Sequence, residues 1–120
     1  MKKLLLIVAA VLLAPGIAAA ADISGAWKIT TNANGQDLVV NCNFAQSGSA
    51  LSGTCGLAGG AETPAALTGT VDGMAASWAY DVKFQDMPLH VAFKGDVMDK
   101  TMSGTMDVAG GSSPFKAAKQ

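Results

Sequence analysis

Few residues in this chain of 120 could do chemistry: two cysteines, Cys42 and Cys55, one histidine, His90, and nine acids. Folding the chain about Gly48-Ser49 sets Ser47 against Ala50, Phe44 against Gly53 and Cys42 against Cys55, so the two cysteines face each other in an antiparallel hairpin. In an oxidising compartment such an isolated pair is most simply a disulfide. A redox pair would favour Cys-x-x-Cys, and a metal site needs more His or Cys than this chain has. Closing the short loop is worth on the order of 3 kcal/mol in the chain-entropy model. His90 falls on the outward face of an alternating strand, with Lys94 further along that face. Nucleophilic catalysis needs a base held by a third group, and none is suggested. Asp72, Asp86 and Asp99 sit in turns, where local side-chain to backbone hydrogen bonds account for them. Asp81, Asp96 and Asp107 point outward, and no register pairs two carboxylates as acid and base. With no phosphate-binding loop and no metal cluster, the chain is expected to be no enzyme and to carry no cofactor or metal.

A different chemistry lies in the apolar residues. Trp27, Phe44, Trp78, Tyr80, Phe84, Phe93 and Phe115, with Met74, Met102 and Met106, all take the inward parity of their segments, and no charged residue shares it. Trp78, Tyr80, Phe93, Met74, Met102 and Met106 are the candidate ligand-binding set. They would hold an apolar molecule, with the Tyr80 hydroxyl as one polar contact and the methionines as an adaptable lining. The alternative is that these side chains simply fill the interior.

The elements that must position them carry a repeated pattern. Ile23-Ser24-Gly25-Ala26-Trp27, Leu51-Ser52-Gly53-Thr54-Cys55, Leu67-Thr68-Gly69-Thr70-Val71, Phe93-Lys94-Gly95-Asp96-Val97 and Met102-Ser103-Gly104-Thr105-Met106 each place two apolar residues and a central Gly on one strand face. Gly on a buried strand face marks a sharp bend or a large side chain lying over the backbone. Asp72-Gly73 reads as a type I′ hairpin turn that pairs Val71 with Met74, Gly69 with Ala76 and Leu67 with Trp78. At the start of the fold, Trp27 and Ile29 pair with Cys42 and Val40. Strands are expected near 23–31, 38–46, 50–57, 65–71, 74–84, 88–97, 101–108 and 114–119. Turns are expected at 85–88, 99–100 and 110–113, and a Gly-rich loop at 58–64. The fold class is therefore all-β: an eight-stranded antiparallel up-and-down β-barrel, with a two-sheet β-sandwich of the same strands as the alternative.

The first residues stand apart. Met1-Lys2-Lys3 is positive, residues 4–13 are an unbroken apolar run, Pro15-Gly16 breaks a helix, and residues 18–21 are Ala. This is the pattern of a cleaved Sec signal peptide over 1–21, with cleavage after Ala20 or Ala21, followed by one domain over 22–120. The apolar run is too short to span a bilayer, and no later stretch approaches that length. Removing 1–21 takes Lys2 and Lys3 with it and leaves 99 residues with six Lys against nine acids, a formal charge of −3. There is no Arg, the usual reader of phosphate and base edges, so nucleic acid is a poor partner. A periplasmic or secreted location follows.

Gly25-Ala26-Trp27 resembles the Gly-x-Trp opening of lipocalins and the wider calycin barrels. The Leu-Thr-Gly-Thr-Val and Met-Ser-Gly-Thr-Met segments, with Phe115-Lys116-Ala117 closing the chain, are similar to short bacterial lipocalin-like domains. That resemblance implies the barrel and the binding of a small apolar molecule. Lipocalins carry an Arg on the last strand that packs over the Trp; here Lys116 or Lys119 stands nearest. The expected function is an exported, non-enzymatic barrel with an apolar ligand inside. The alternative is a filled barrel acting on an envelope protein as an inhibitor or accessory module, with Met87, Pro88 and the 58–64 loop as its surface.

Overall fold

The structure is a computed structural model and describes residues 21–33, 35–59, 64–84 and 86–120; the expected signal segment, apart from Ala21, lies outside the described residues. Eight strands run in chain order: β1 Gly25–Ala33, β2 Gln36–Ser47, β3 Ala50–Leu57, β4 Ala65–Asp72, β5 Ala75–Phe84, β6 Met87–Met98, β7 Thr101–Val108 and β8 Gly111–Lys119. Each pairs antiparallel with the next, and β8 returns to β1 through partners from Trp27↔Lys119 to Thr31↔Phe115, closing the barrel. Closure leaves no unpaired strand edge, which a single sheet of this size would expose on both sides. Following partners around the barrel returns to β1 roughly ten residues along, the stagger that eight tilted strands need to close. The up-and-down barrel is thus the fold, and the sandwich is not.

Alternation drives the arrangement. Along β2 the buried positions are Val40, Cys42 and Phe44, while Asn41, Asn43 and Ala45 between them are exposed. The outer wall is rich in Thr, Ser, Asn and Lys, and the inner wall is apolar. Cys42 and Cys55 are directly opposed, disulfide-bonded and fully buried, with Trp27 next to them across β1–β2. Replacing both cysteines by Ala is expected to cost about 3 kcal/mol in equilibrium urea unfolding while leaving the β-rich circular dichroism spectrum in place. Unreduced mass spectrometry of exported protein should show two hydrogens fewer than the dithiol form.

Three turns differ from the sequence expectation. In the β4–β5 hairpin Asp72 pairs with Ala75 and Gly69 with Trp78, so the two loop residues are Gly73 and Met74. Gly73 has φ +61° and Met74 an ordinary negative φ, the type II′ arrangement with Gly first, in place of type I′. The slip is two residues. Side chains alternate with period two, so every face is preserved and Trp78 still points inward. Met74, however, leaves the strand for the turn, where it is 51% exposed. Gly73→Val should destabilise the hairpin by about 1–2 kcal/mol, since a β-branched residue strongly resists this φ. Ser112→Val, in exposed strand backbone, should shift the urea midpoint little. The last hairpin is tighter than expected, with Ala109 and Gly110 both at positive φ in a type I′ turn and β8 starting at Gly111. Met87 and Pro88, expected in a turn, already pair with Phe84 and Lys83.

Candidate functional site

Trp78 occupies the middle of β5, between Gly69 on β4 and Phe93 on β6. Its ring stacks on Phe93 at 5.0 Å, with planes 11° apart, and meets the edges of Phe44 at 4.8 Å and Phe115 at 5.9 Å. Phe93 in turn touches Phe115 at 5.3 Å and Tyr80 at 6.1 Å. The cluster crosses the barrel from β5 and β6 to β2 and β8, forming a layer of aromatic rings through its centre. Glycines make room for it. Phe44 is paired with Gly53, Trp78 with Gly69 and Phe115 with Gly104, and the Phe115 ring lies over Gly95. A Cβ on Gly69 would come within 2.7 Å of the Trp78 Cα, and one on Gly95 within 2.8 Å of the Phe115 ring. The repeated glycine pattern of the sequence is the aromatic layer seen from the opposite strand.

This layer is uncharged. Among the described residues the buried set contains one polar side chain, Thr31, whose hydroxyl donates to the Pro114 carbonyl. The Tyr80 hydroxyl is pushed up to about 12 by burial, so it stays a protonated donor. The two indole N–H groups differ. Trp27 Nε1 donates to the Ile23 carbonyl at 2.9 Å, while Trp78 Nε1 is buried with no hydrogen-bond partner.

The two ends of the barrel are built differently. One end carries the β2–β3, β4–β5 and β6–β7 turns, and residues 21–24 run across it. Ala21 donates its N–H to Gly73 O, and Gln46 Nε2 donates to the Ala21 and Gly48 carbonyls. Gln46 Oε1 accepts the Ile23 N–H, and Ile23 plugs this end, fully buried. The inward residues nearest it, Leu51, Val71, Val97 and Met102, are all buried. At the opposite end the inward residues Leu38, Ala65, Val82, Leu89 and Val108 are only half-buried, and Leu57 is 57% exposed. An apolar rim therefore surrounds an end with no such strap among the described residues.

The candidate set divides accordingly. Trp78, Tyr80, Phe93 and Met106 come together, with Met106 directly opposite Phe93. Met102 is buried toward the strapped end, paired with Val97 and Ala117. Met74 does not face the interior: the two-residue slip of its hairpin puts it on the surface. The side chain of Phe84 lies outside the described residues. Residues that sequence reasoning left out of the set, Phe44 and Phe115, complete the layer; their pairing with Gly53 and Gly104 was the available signal.

No family model, curated protein or solved structure matches the chain. The eight-stranded barrel is compatible with a lipocalin-like fold. Lys119, rather than Lys116, stands where the last strand meets Trp27, and its Cε lies close to Gly25. On the outer wall His90 and Asp81 are cross-strand partners joined at 2.8 Å, 66% and 78% exposed. In water such a pair is worth little. Two surface depressions, of about 440 and 450 Å³, also open on the outer wall, on either side of Gly104. The buried disulfide is consistent with an oxidising, exported location.

Proposed function

We propose that the protein is an exported, lipocalin-like, non-enzymatic barrel, periplasmic or secreted, that binds a small apolar molecule through the end opposite Ile23. The observation that carries this is the contrast between the ends. Ile23 and the strap seal one, while a half-buried ring of Leu38, Val82, Leu89 and Val108 leads from the other toward Tyr80 and Trp78. Half-buried apolar side chains lining an inward face leave apolar surface in water, and an apolar ligand seated among them removes that cost at roughly 25 cal/mol per Å² before the costs of association. The ligand floor is the face of the aromatic layer formed by Tyr80, Trp78, Phe93 and Met106. Met102 and Met74 lie outside it.

The test is native mass spectrometry of protein purified from its export host, with displacement of an apolar fluorescent probe by the extracted material. The expected result is a bound small molecule, and weaker probe binding in Val82→Asp and Leu89→Asp variants that keep the wild-type fold. Probe binding that ignores both changes would refute entry by this end. The packing of the central layer favours a second function, a filled barrel acting through its surface on an envelope protein. Co-purification of a stoichiometric protein with an empty barrel would establish it.

A further inference from the structure

Resting on the export reading alone, and on no ligand, we propose that the mature chain begins at Ala21: signal cleavage falls after Ala20, and the α-ammonium it frees becomes a structural group of the strap. The sequence permits two cuts. Ala18 and Ala20 are the small residues before the first, and Ala19 and Ala21 those before the second. The two products differ only in whether they keep Ala21, and that residue is part of the fold.

Ala21 is tied at both of its backbone groups. Its nitrogen donates to the Gly73 carbonyl at 2.9 Å, and its carbonyl accepts from Gln46 Nε2 at 2.7 Å. Its side chain packs against the buried core. Gln46 holds the rest of the strap as well: its Oε1 accepts the Ile23 N–H at 2.8 Å, and its backbone N–H donates to Ser24 Oγ at 3.2 Å. One half-buried amide side chain thus joins Ala21 to Ile23, the residue that plugs the end. A cut after Ala21 removes the donor to Gly73 and the acceptor for Gln46 together. It leaves the new amine on Asp22, an exposed residue whose carboxylate accepts the Ser24 N–H. A cut after Ala20 keeps both bonds and makes the first charge-assisted, since its donor becomes an ammonium. Cleavage acts on the unfolded precursor, so the fold does not steer the protease. Gln46 and Gly73 are nonetheless placed for a partner that only the product beginning at Ala21 contains.

The experiment expresses the full chain with its own leader in a bacterial export host and reads the N-terminus of the exported protein by intact mass spectrometry and N-terminal sequencing. A chain beginning at Ala21 is expected. One beginning at Asp22, lighter by a single alanine, or at any other processed position overturns the assignment and leaves export standing. Protein that stays inside the cell with its leader uncut overturns export and this inference with it. The structural role is tested on two mature forms released from cleavable fusions, one beginning at Ala21 and one at Asp22. The Ala21 form should melt about 5 °C higher, the equivalent of its two extra hydrogen bonds in a small domain. It should also protect the Ile23 amide from hydrogen exchange about tenfold better. Gln46→Ala, which removes the shared partner, should shrink both differences. Equal melting and equal Ile23 protection in the two forms overturn the role of Ala21 in the strap, whatever the cleavage site.

Discussion

Gly104→Ala is expected to cost more than about 3 kcal/mol and to lower the melting temperature by well over 10 °C. The added Cβ would overlap the Lys94 carbonyl oxygen and come within 2.6 Å of the Gly95 Cα, both backbone of β6. No side-chain rotation relieves such a contact, so the two strands must separate where they carry the Phe115 ring. A small domain has a total stability of about 5–15 kcal/mol, and a loss of this size removes a large share of it. Gly35→Ala is the control: its Cβ would meet nothing within 4 Å, and only its φ of +78° opposes the change, at about 1 kcal/mol. Thermal and urea unfolding of the two variants should separate widely. Matching midpoints would mean that β6 and β7 do not approach as described.

Trp78→Ala should be nearly as damaging, at about 3–5 kcal/mol. The indole is 2% exposed and holds three phenylalanine rings, so truncation opens a cavity at the centre of the barrel and leaves Phe44, Phe93 and Phe115 without their common neighbour. Part of the loss is offset because the variant no longer buries an unsatisfied indole N–H. Met74→Ala should change stability by less than about 0.5 kcal/mol, because that side chain already sits in water. Urea unfolding followed by far-ultraviolet circular dichroism compares the two. A Trp78→Ala loss no larger than that of Met74→Ala would contradict the central position of the ring.

Much of this molecule was legible in its residues because β-structure is written with period two. The alternation in β5 and β6, the facing of Cys42 and Cys55, and the partnering of Trp27 with Cys42 follow from parity and a short turn, and all recur in the barrel. Parity is also why a register error survives unnoticed. Moving the β4–β5 hairpin by two residues keeps Trp78 inside and changes only which residues occupy the turn, so the alternation that places Met74 inside does not distinguish the two registers. Gly73 takes positive φ in either register, but whether it stands first or second in the loop depends on how β4 meets β5 along its whole length.

The chain by itself determined the strand faces, the disulfide and the class of the fold, since these depend on neighbours a few residues apart and on the need to hide strand edges. The tertiary structure alone decided what the interior is. Closure brings Phe44 and Phe115 against Trp78 from opposite walls, and no local pattern encodes a contact across a barrel. It also decided that residues 21–24 fold over one end and seal it, through hydrogen bonds to Gly73 and Gln46 that join distant parts of the sequence. The same packing satisfies the Trp27 indole and strands that of Trp78, because a hydrogen bond depends on where an acceptor lies in space and the residue type supplies only the donor.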